Sequence, residues 1–251
     1  MQSKYFEINK DGHSIKCKIY GDSTNIKNLI IYGHGFAGHK DNKAAENFAS
    51  KIIGKNKSAA VITFDLPGHG DDIKKKIRLA ECLTYIDMVL KYISEKYSRA
   101  DVFSYATSFG AYLVLCYIWK MGNPFKKIAF RSPAVSMYEI MMNTIVSSDD
   151  IYAIHKGKSV MTGFDRKVQI DLEFLNELKD NDIFSYDFID YAENIIMFHG
   201  IKDEVVPVSK VMEFADKNII ELEIYDTADH RFQNPQAMGT VNKNVREWFG
   251  I

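Results

Sequence analysis

Cysteine is scarce in this 251-residue chain: Cys17, Cys82 and Cys116 are far apart, odd in number and never arranged as C-x-x-C. A disulfide framework or a thiolate metal site needs paired or grouped cysteines, so the spacing argues against both and implies a reducing compartment. Excess charge is missing too. Lys and Arg number 32 against 33 Asp and Glu, a formal net charge of -1, so no global field draws the chain toward nucleic acid or an anionic membrane. The longest apolar stretch, near Ala111 to Trp119, is too short to cross a bilayer, and the opening Met1 to Glu7 has no apolar h-region. No H-E-x-x-H motif or grouped Cys/His set is present, so neither a metal nor another cofactor is expected. The expectation is a soluble, cytoplasmic protein that meets small molecules, with no nucleic-acid partner and no membrane span; oligomeric state is not readable.

What the chain has is alternation. At 46% hydrophobic it is long enough to bury one sizeable core. Apolar runs bounded by turn residues alternate with helical patterns, the signature of β-α-β units around a parallel sheet. Tyr5 to Asn9 and His13 to Tyr20 flank Lys10-Asp11-Gly12 and read as an antiparallel edge hairpin. Buried strands are expected at Asn28–Tyr32, Ala59–Phe64, Asp101–Tyr105, Lys127–Phe130, Asn194–Phe198 and Glu221–Tyr225. A helix between Ile77 and Tyr97 carries an apolar stripe through Leu79, Cys82, Leu83, Ile86, Leu90 and Ile93. Others run from Asp41 as N-cap to Gly54 as C′ residue, and from Pro235 to Phe249. The fold class is therefore α/β, with a core formed by residues 1–132 and 192–251. Residues 133–191 break the rhythm: about 60 residues lie between two strands where connections of about 2–6 are usual, and they read as a cap insertion. Met137 to Val146 looks helical; Val168 to Leu178 alternates, then turns helical.

The strongest chemical signal is Tyr105-Ala106-Thr107-Ser108-Phe109-Gly110, after one strand and opening the apolar helix from Ala111 to Trp119. A sharp strand-to-helix turn lifts a serine Oγ above the sheet and needs small residues two before and two after it. Ala106 and Gly110 fill those positions, Ala106 departing from the G-x-S-x-G pattern. An unassisted hydroxyl is a poor nucleophile, so a base and an orienting acid are required downstream. His230 follows the strand Glu221–Tyr225, and Asp203 follows Asn194–Phe198; both loops leave carboxyl ends of parallel strands, where open α/β sheets place their sites. Ser108, Asp203 and His230 are the candidate catalytic residues, with Glu204 and Asp229 as adjacent decoys.

Gly33-His34-Gly35-Phe36-Ala37-Gly38 is also G-x-G-x-x-G, with Asp65 ending the next strand, so a dinucleotide-binding oxidoreductase is a competing reading. Against it, Asp65 lies 27 positions past Gly38 and Asp41 places a carboxylate where a pyrophosphate should sit. A catalytically silent fold that binds a ligand is the other competitor.

Five ordered segments together carry a family resemblance: His34-Gly35-Phe36, Asp65-Leu66-Pro67-Gly68-His69-Gly70-Asp71, the serine turn, His199-Gly200 through Asp203 to Val206-Pro207, and His230. The chain resembles the α/β-hydrolase superfamily, within it the small bacterial cinnamoyl and feruloyl esterases and serine aminopeptidase-like relatives. The resemblance implies a sheet of about eight strands, a lid formed by the insertion after the sixth strand, and oxyanion donors at the backbone N–H groups of Phe36 and Phe109. It implies a serine hydrolase acting on a small-molecule acyl ester, with thioesters and peptide amides as alternatives. Met141 and Met142 in the lid, and Arg131 just before it, are candidate pocket residues; His34, His69 and His199 read as shaping residues.

Overall fold

A computed structural model describes residues 1–22, 24–72 and 75–251. Among these residues ten strands form in chain order: β1 (Ser3–Lys10), β2 (His13–Tyr20), β3 (Asn28–Gly33), β4 (Ala59–Phe64), β5 (Asp101–Thr107), β6 (Ile128–Arg131), β7 (Val160–Thr162), β8 (Val168–Ile170), β9 (Ile195–Gly200) and β10 (Glu221–Tyr225). Eight of them make one sheet in the order β1-β2-β4-β3-β5-β6-β9-β10, and β7 pairs with β8 apart from it. Within the large sheet β2 runs antiparallel to β1 and β4, while the remaining pairings are parallel. The β1–β2 hairpin closes through Asp11 (φ 51°) and Gly12 (φ 80°), the paired left-handed residues that match a two-residue turn to strand twist.

Strand β4 is buried along its whole length because both faces of the sheet are covered. On one face lie α2 (Leu79–Lys96) and α3 (Phe109–Met121); on the other lie α1 (Lys43–Lys55) and α8 (Pro235–Phe249). Helix α3 is buried from Phe109 to Ile118, as its lack of a polar face requires. Helix α8 is amphipathic and buries Val241 and Val245, each worth about 1.5–3 kcal/mol of burial, in the cluster that holds Phe103 and Phe249 on this face. Among the described residues, no helix is long and apolar enough to cross a membrane.

Two helix boundaries differ from expectation. The α1 N-cap is Asn42, whose Oδ1 accepts from the Ala45 N–H at 2.7 Å. Asp41 is diverted: its carboxylate accepts from Tyr5 at 2.7 Å and from Lys18 at 2.9 Å. Gly54 is not the C′ residue but lies inside α1, which ends at Lys55 with Asn56 as cap.

Between β6 and β9 the chain forms α4 (Met137–Ile140), a π-helical turn over Met141–Ile145, α5 (Ser148–His155), the β7–β8 pair, α6 (Leu172–Asp180) and two 3₁₀ turns. Phe174, Leu175, Leu178 and Ile183 of this segment share the core cluster of α2 and α3. Arg78 bridges to Asp171 at 2.8 Å, and Glu177 accepts from the Leu79 N–H at 2.9 Å, so the segment is docked onto the start of α2. Helix α7 (Val208–Asn218) buries Val211 and Phe214 beside β9.

Candidate active site

Strand β5 runs two residues farther than its apolar run suggests and delivers the chain directly into Ser108. Ser108 holds φ 50°, ψ −117°, a left-handed conformation that costs a non-glycine residue on the order of 1–3 kcal/mol. It persists because its neighbours over-determine it. The Ser108 N–H donates to the Arg131 carbonyl at 3.1 Å, and the Ser108 carbonyl accepts from Ala111 at 3.0 Å and Tyr112 at 3.2 Å.

The turn also needs close approach between strands. A Cβ on Gly110 would come within 2.7 Å of the Gly33 and His34 backbones. Ala106 keeps its methyl because Gly33, its register partner on β3, has none: a Cβ on Gly33 would lie 2.9 Å from that of Ala106. The alanine that departs from the usual pattern is thus accommodated across the strand pair.

The loops after β9 and β10 bring Asp203 and His230 to this serine. His230 Nε2 lies 3.1 Å from Ser108 Oγ, and His230 Nδ1 lies 2.8 Å from Asp203 Oδ2 and 3.0 Å from Oδ1. The Asp203 side chain is fully buried, and its Oδ1 accepts from the Val205 and Val206 N–H groups at 2.9 and 2.7 Å. Burial alone would raise its pKa; the hydrogen bond and charge of His230, with help from the Val206 N–H and His199, outweigh burial and hold it below the usual carboxylate value. The two decoys turn elsewhere: Asp229 accepts from the Gln233 N–H at 2.8 Å, and Glu204 is an exposed residue whose Oε2 faces the His230 backbone N–H at 3.4 Å.

Phe36 and Phe109 meet edge-on, with ring centroids 5.8 Å apart beside the serine. Phe109 opens α3, so its N–H has no intrahelical acceptor, and among the described residues neither it nor the Phe36 N–H donates to a protein group. Gly35 completes the wall: a Cβ there would sit 3.3 Å from Ser108 Cβ. His69 packs against both phenylalanines and against His34, and each histidine donates through Nδ1 to a backbone carbonyl, Pro67 for His69 and Gly35 for His34. Burial lowers the pKa of both, His69 to about 3, so they remain neutral. His199 is held the same way, buried with Nε2 3.0 Å from the Val206 carbonyl and 3.4 Å from Asp203, its pKa lowered by burial.

Asp65 is engaged locally. It accepts from the Lys40 N–H at 2.7 Å, from Lys40 Nζ at 2.9 Å and from the Asp71 N–H at 3.0 Å, while a Cβ on Gly70 would overlap its carboxylate. This pins the loop after β3 to the loop after β4, and it leaves the carboxylate no free edge for a ribose hydroxyl. Sequence reasoning missed Lys40, whose partners come from three separate loops and strands. It also missed Ser132, at φ 48°, whose hydroxyl donates to the His230 carbonyl at 2.9 Å.

A cleft of about 520 Å³ opens over Ser108 and His230, walled by Phe36, Thr107, Arg131, Ser132 and Val205 and, from the segment after β6, by Ile145, Phe164, Asp165 and Arg166. Arg131 lines it. Met141 and Met142 do not: Met141 is wholly buried in the core and Met142 packs against the same cluster. The π-helical turn shifts the register so that Ile145 reaches the cleft instead. Among the described residues, no group of three or more His, Cys, Asp or Glu side chains converges as a metal site would require.

The strand order, the serine turn and the loop positions define an α/β-hydrolase. Residues 70–250 match the model of the prolyl oligopeptidase family, and the chain belongs to that family. No curated protein matches the sequence. Among solved structures, a putative hydrolase from Agrobacterium vitis S4 superposes with TM-score 0.77 at 12% identity, over 98% of each chain. The ferulic acid complex of Est1E from Butyrivibrio proteoclasticus gives 0.72 at 19% identity, over 98% of this chain and 100% of that one. A monoglyceride lipase variant from Saccharomyces cerevisiae gives 0.74 at 14% identity, over 100% and 95%. Likeness at these identities speaks for the fold.

Proposed function

We propose that the chain is a serine hydrolase that cleaves a carboxylic ester through an acyl-enzyme, with Ser108 as nucleophile, His230 as general base and Asp203 as the group that orients and charges-balances the imidazole. The observation that carries this reading is the continuous chain of contacts from Ser108 Oγ through His230 to a buried, ionised Asp203. His230 Nε2 takes the Ser108 proton as Oγ attacks the acyl carbon, and the same proton passes to the departing alcohol. Water repeats the cycle on the acyl-enzyme. The N–H groups of Phe36 and Phe109 would receive the negative oxygen that develops in each step. Asp203 stays ionised and stabilises the imidazolium without accepting its proton.

On this reading residues 133–191 serve as a cap whose 145 and 164–166 positions form one wall of the cleft, and three buried free cysteines suit a reducing cytoplasm. Esters are preferred because solved neighbours include an esterase bound to ferulic acid and a monoglyceride lipase. The family match gives a second reading, cleavage of a peptide amide by the same three residues.

The test is labelling with a fluorophosphonate probe together with turnover of an ester and aminoacyl amide panel. Covalent labelling of Ser108, and a loss on the order of 10⁶ in kcat for Ser108→Ala, are expected. Folded protein that neither labels nor turns over any substrate would leave the chain a ligand-binding hydrolase fold.

A further inference from the structure

The cleft over Ser108 is strongly one-sided in charge. Lys43, Arg131, Arg166 and Arg231 line it, against a single carboxylate, Asp165, which is already paired with Arg231 at 2.8 Å. Lys43, Arg166 and Arg231 are exposed, as cations at a cleft mouth usually are. Arg131 is not: it is 6% exposed, at the end of β6, and its carbonyl holds the Ser108 N–H.

Among the described residues, no carboxylate lies within 4 Å of the Arg131 guanidinium. Its Nη1 meets the Met238 thioether at 3.4 Å, its Nε is buried with no hydrogen-bond partner among the described residues, and it lies 5.8 Å from the Phe232 ring centroid, with the Tyr32 and Tyr105 hydroxyls as its polar neighbours. Register pairing puts Tyr105, Thr107 and Arg131 on one face of adjoining strands, and the buried Tyr105 hydroxyl also has no partner. Tyr32, beside Tyr105 at 5.5 Å between ring centroids, lines the same cleft. A guanidinium taken out of water without an anion is strongly unfavourable, and native proteins pair such groups or present them to a ligand.

We infer that Arg131 is the specificity-determining residue of this site and binds a carboxylate carried by the substrate, so that the enzyme acts on anionic esters. The inference rests on the ester-cleaving reading above and sharpens it. A planar guanidinium fork with hydroxyl donors beside it and a dry wall of Phe232 and Met238 suits one flat carboxylate; a phosphate dianion would need further cations at the same depth.

Two ester pairs locate the charge. 4-Nitrophenyl hydrogen adipate carries it on the acyl chain, with 4-nitrophenyl heptanoate as its neutral partner. 4-Carboxyphenyl heptanoate carries it on the leaving group, with 4-carbamoylphenyl heptanoate as its neutral partner. For one of the two pairs, the wild-type ratio of kcat/KM, anionic over neutral, should exceed about 10, and Arg131→Gln should lower that ratio about 100-fold, with Arg131→Lys in between. A ratio that Arg131→Gln leaves unchanged in both pairs overturns the assignment. Free adipate supplies a readout that needs no turnover: it should raise the melting temperature of Ser108→Ala protein and leave that of Arg131→Gln, or of Arg131→Met if Gln fails to fold, where it was. Equal stabilisation of both proteins, or greater stabilisation by inorganic phosphate than by adipate, overturns it as well. If no ester is turned over by wild-type protein yet the adipate shift depends on Arg131, the ester-cleaving reading fails and the carboxylate site stands.

Discussion

Asp65 and Asp203 are both buried carboxylates at the end of a strand loop, and both accept backbone N–H groups, yet they face different partners. Asp65 is closed off by Lys40, a permanent cation: burial works to lower the Lys40 pKa, but hydrogen bonds to Asp71 and Asp65 and the nearby acidic charges raise it well above its ordinary value. Asp203 faces two imidazoles, His230 and His199. A carboxylate locked to a fixed charge can only hold loops together. A carboxylate matched to a titratable ring can also stabilise a charge that appears and disappears during a reaction.

Replacing each acid in turn sets the two roles apart. Asp203→Asn should lower kcat about 10⁴-fold, because the amide favours the wrong imidazole tautomer, while circular dichroism stays that of the wild type. A variant within tenfold of wild-type turnover would remove Asp203 from the chemistry. Asp65→Asn should instead act on stability, lowering it by about 1.5–3 kcal/mol in urea unfolding, since Lys40 loses its buried partner and keeps only Asp41 and Asp71. If its stability matched the wild type, the loop clamp would not be what holds the strand ends.

Gly33→Ala should destabilise by about 1–3 kcal/mol through overpacking against Ala106, and the double variant Gly33→Ala, Ala106→Gly should recover most of that loss. Additive losses in the double variant would break the proposed compensation.

The response to acid reads the buried imidazoles together. His69 has a folded pKa of about 3, and His34 and His199 are also lowered by burial, all below the unfolded value near 6.5. The unfolded chain therefore binds more protons between those values. The His69 contribution is complete above pH 6.5 and is lost as pH falls toward 3, by up to about 1.4 kcal/mol per pH unit, and those of His34 and His199 are lost in the same direction. Urea midpoints measured from pH 7 to pH 4 should fall steadily; a flat profile would mean that these rings are hydrated.

The sequence carried the strand order's raw material and the three residues that meet at the candidate site, because strand ends and glycine turns are local signals. It could not reveal that Asp41 serves Tyr5 and Lys18 rather than α1, since those partners come from β1 and β2. Nor could it reveal which insertion residues face the cleft. Helical periodicity favours Met141 and Met142, but a π-helical turn breaks that periodicity and brings in Ile145, while Phe164 to Arg166 arrive through a β7–β8 connection that apolar patterning did not mark. That no carboxylate among the described residues pairs with Arg131 was likewise invisible, because an absent partner is a property of three dimensions.

The facing positions 33 and 106 make a general point about motifs. Room beside a sharply bent serine is a single shared volume, and a chain can vacate it from either of two neighbouring strands. Searches that demand glycine at one fixed place will pass over proteins in which the missing methyl belongs to the strand next door.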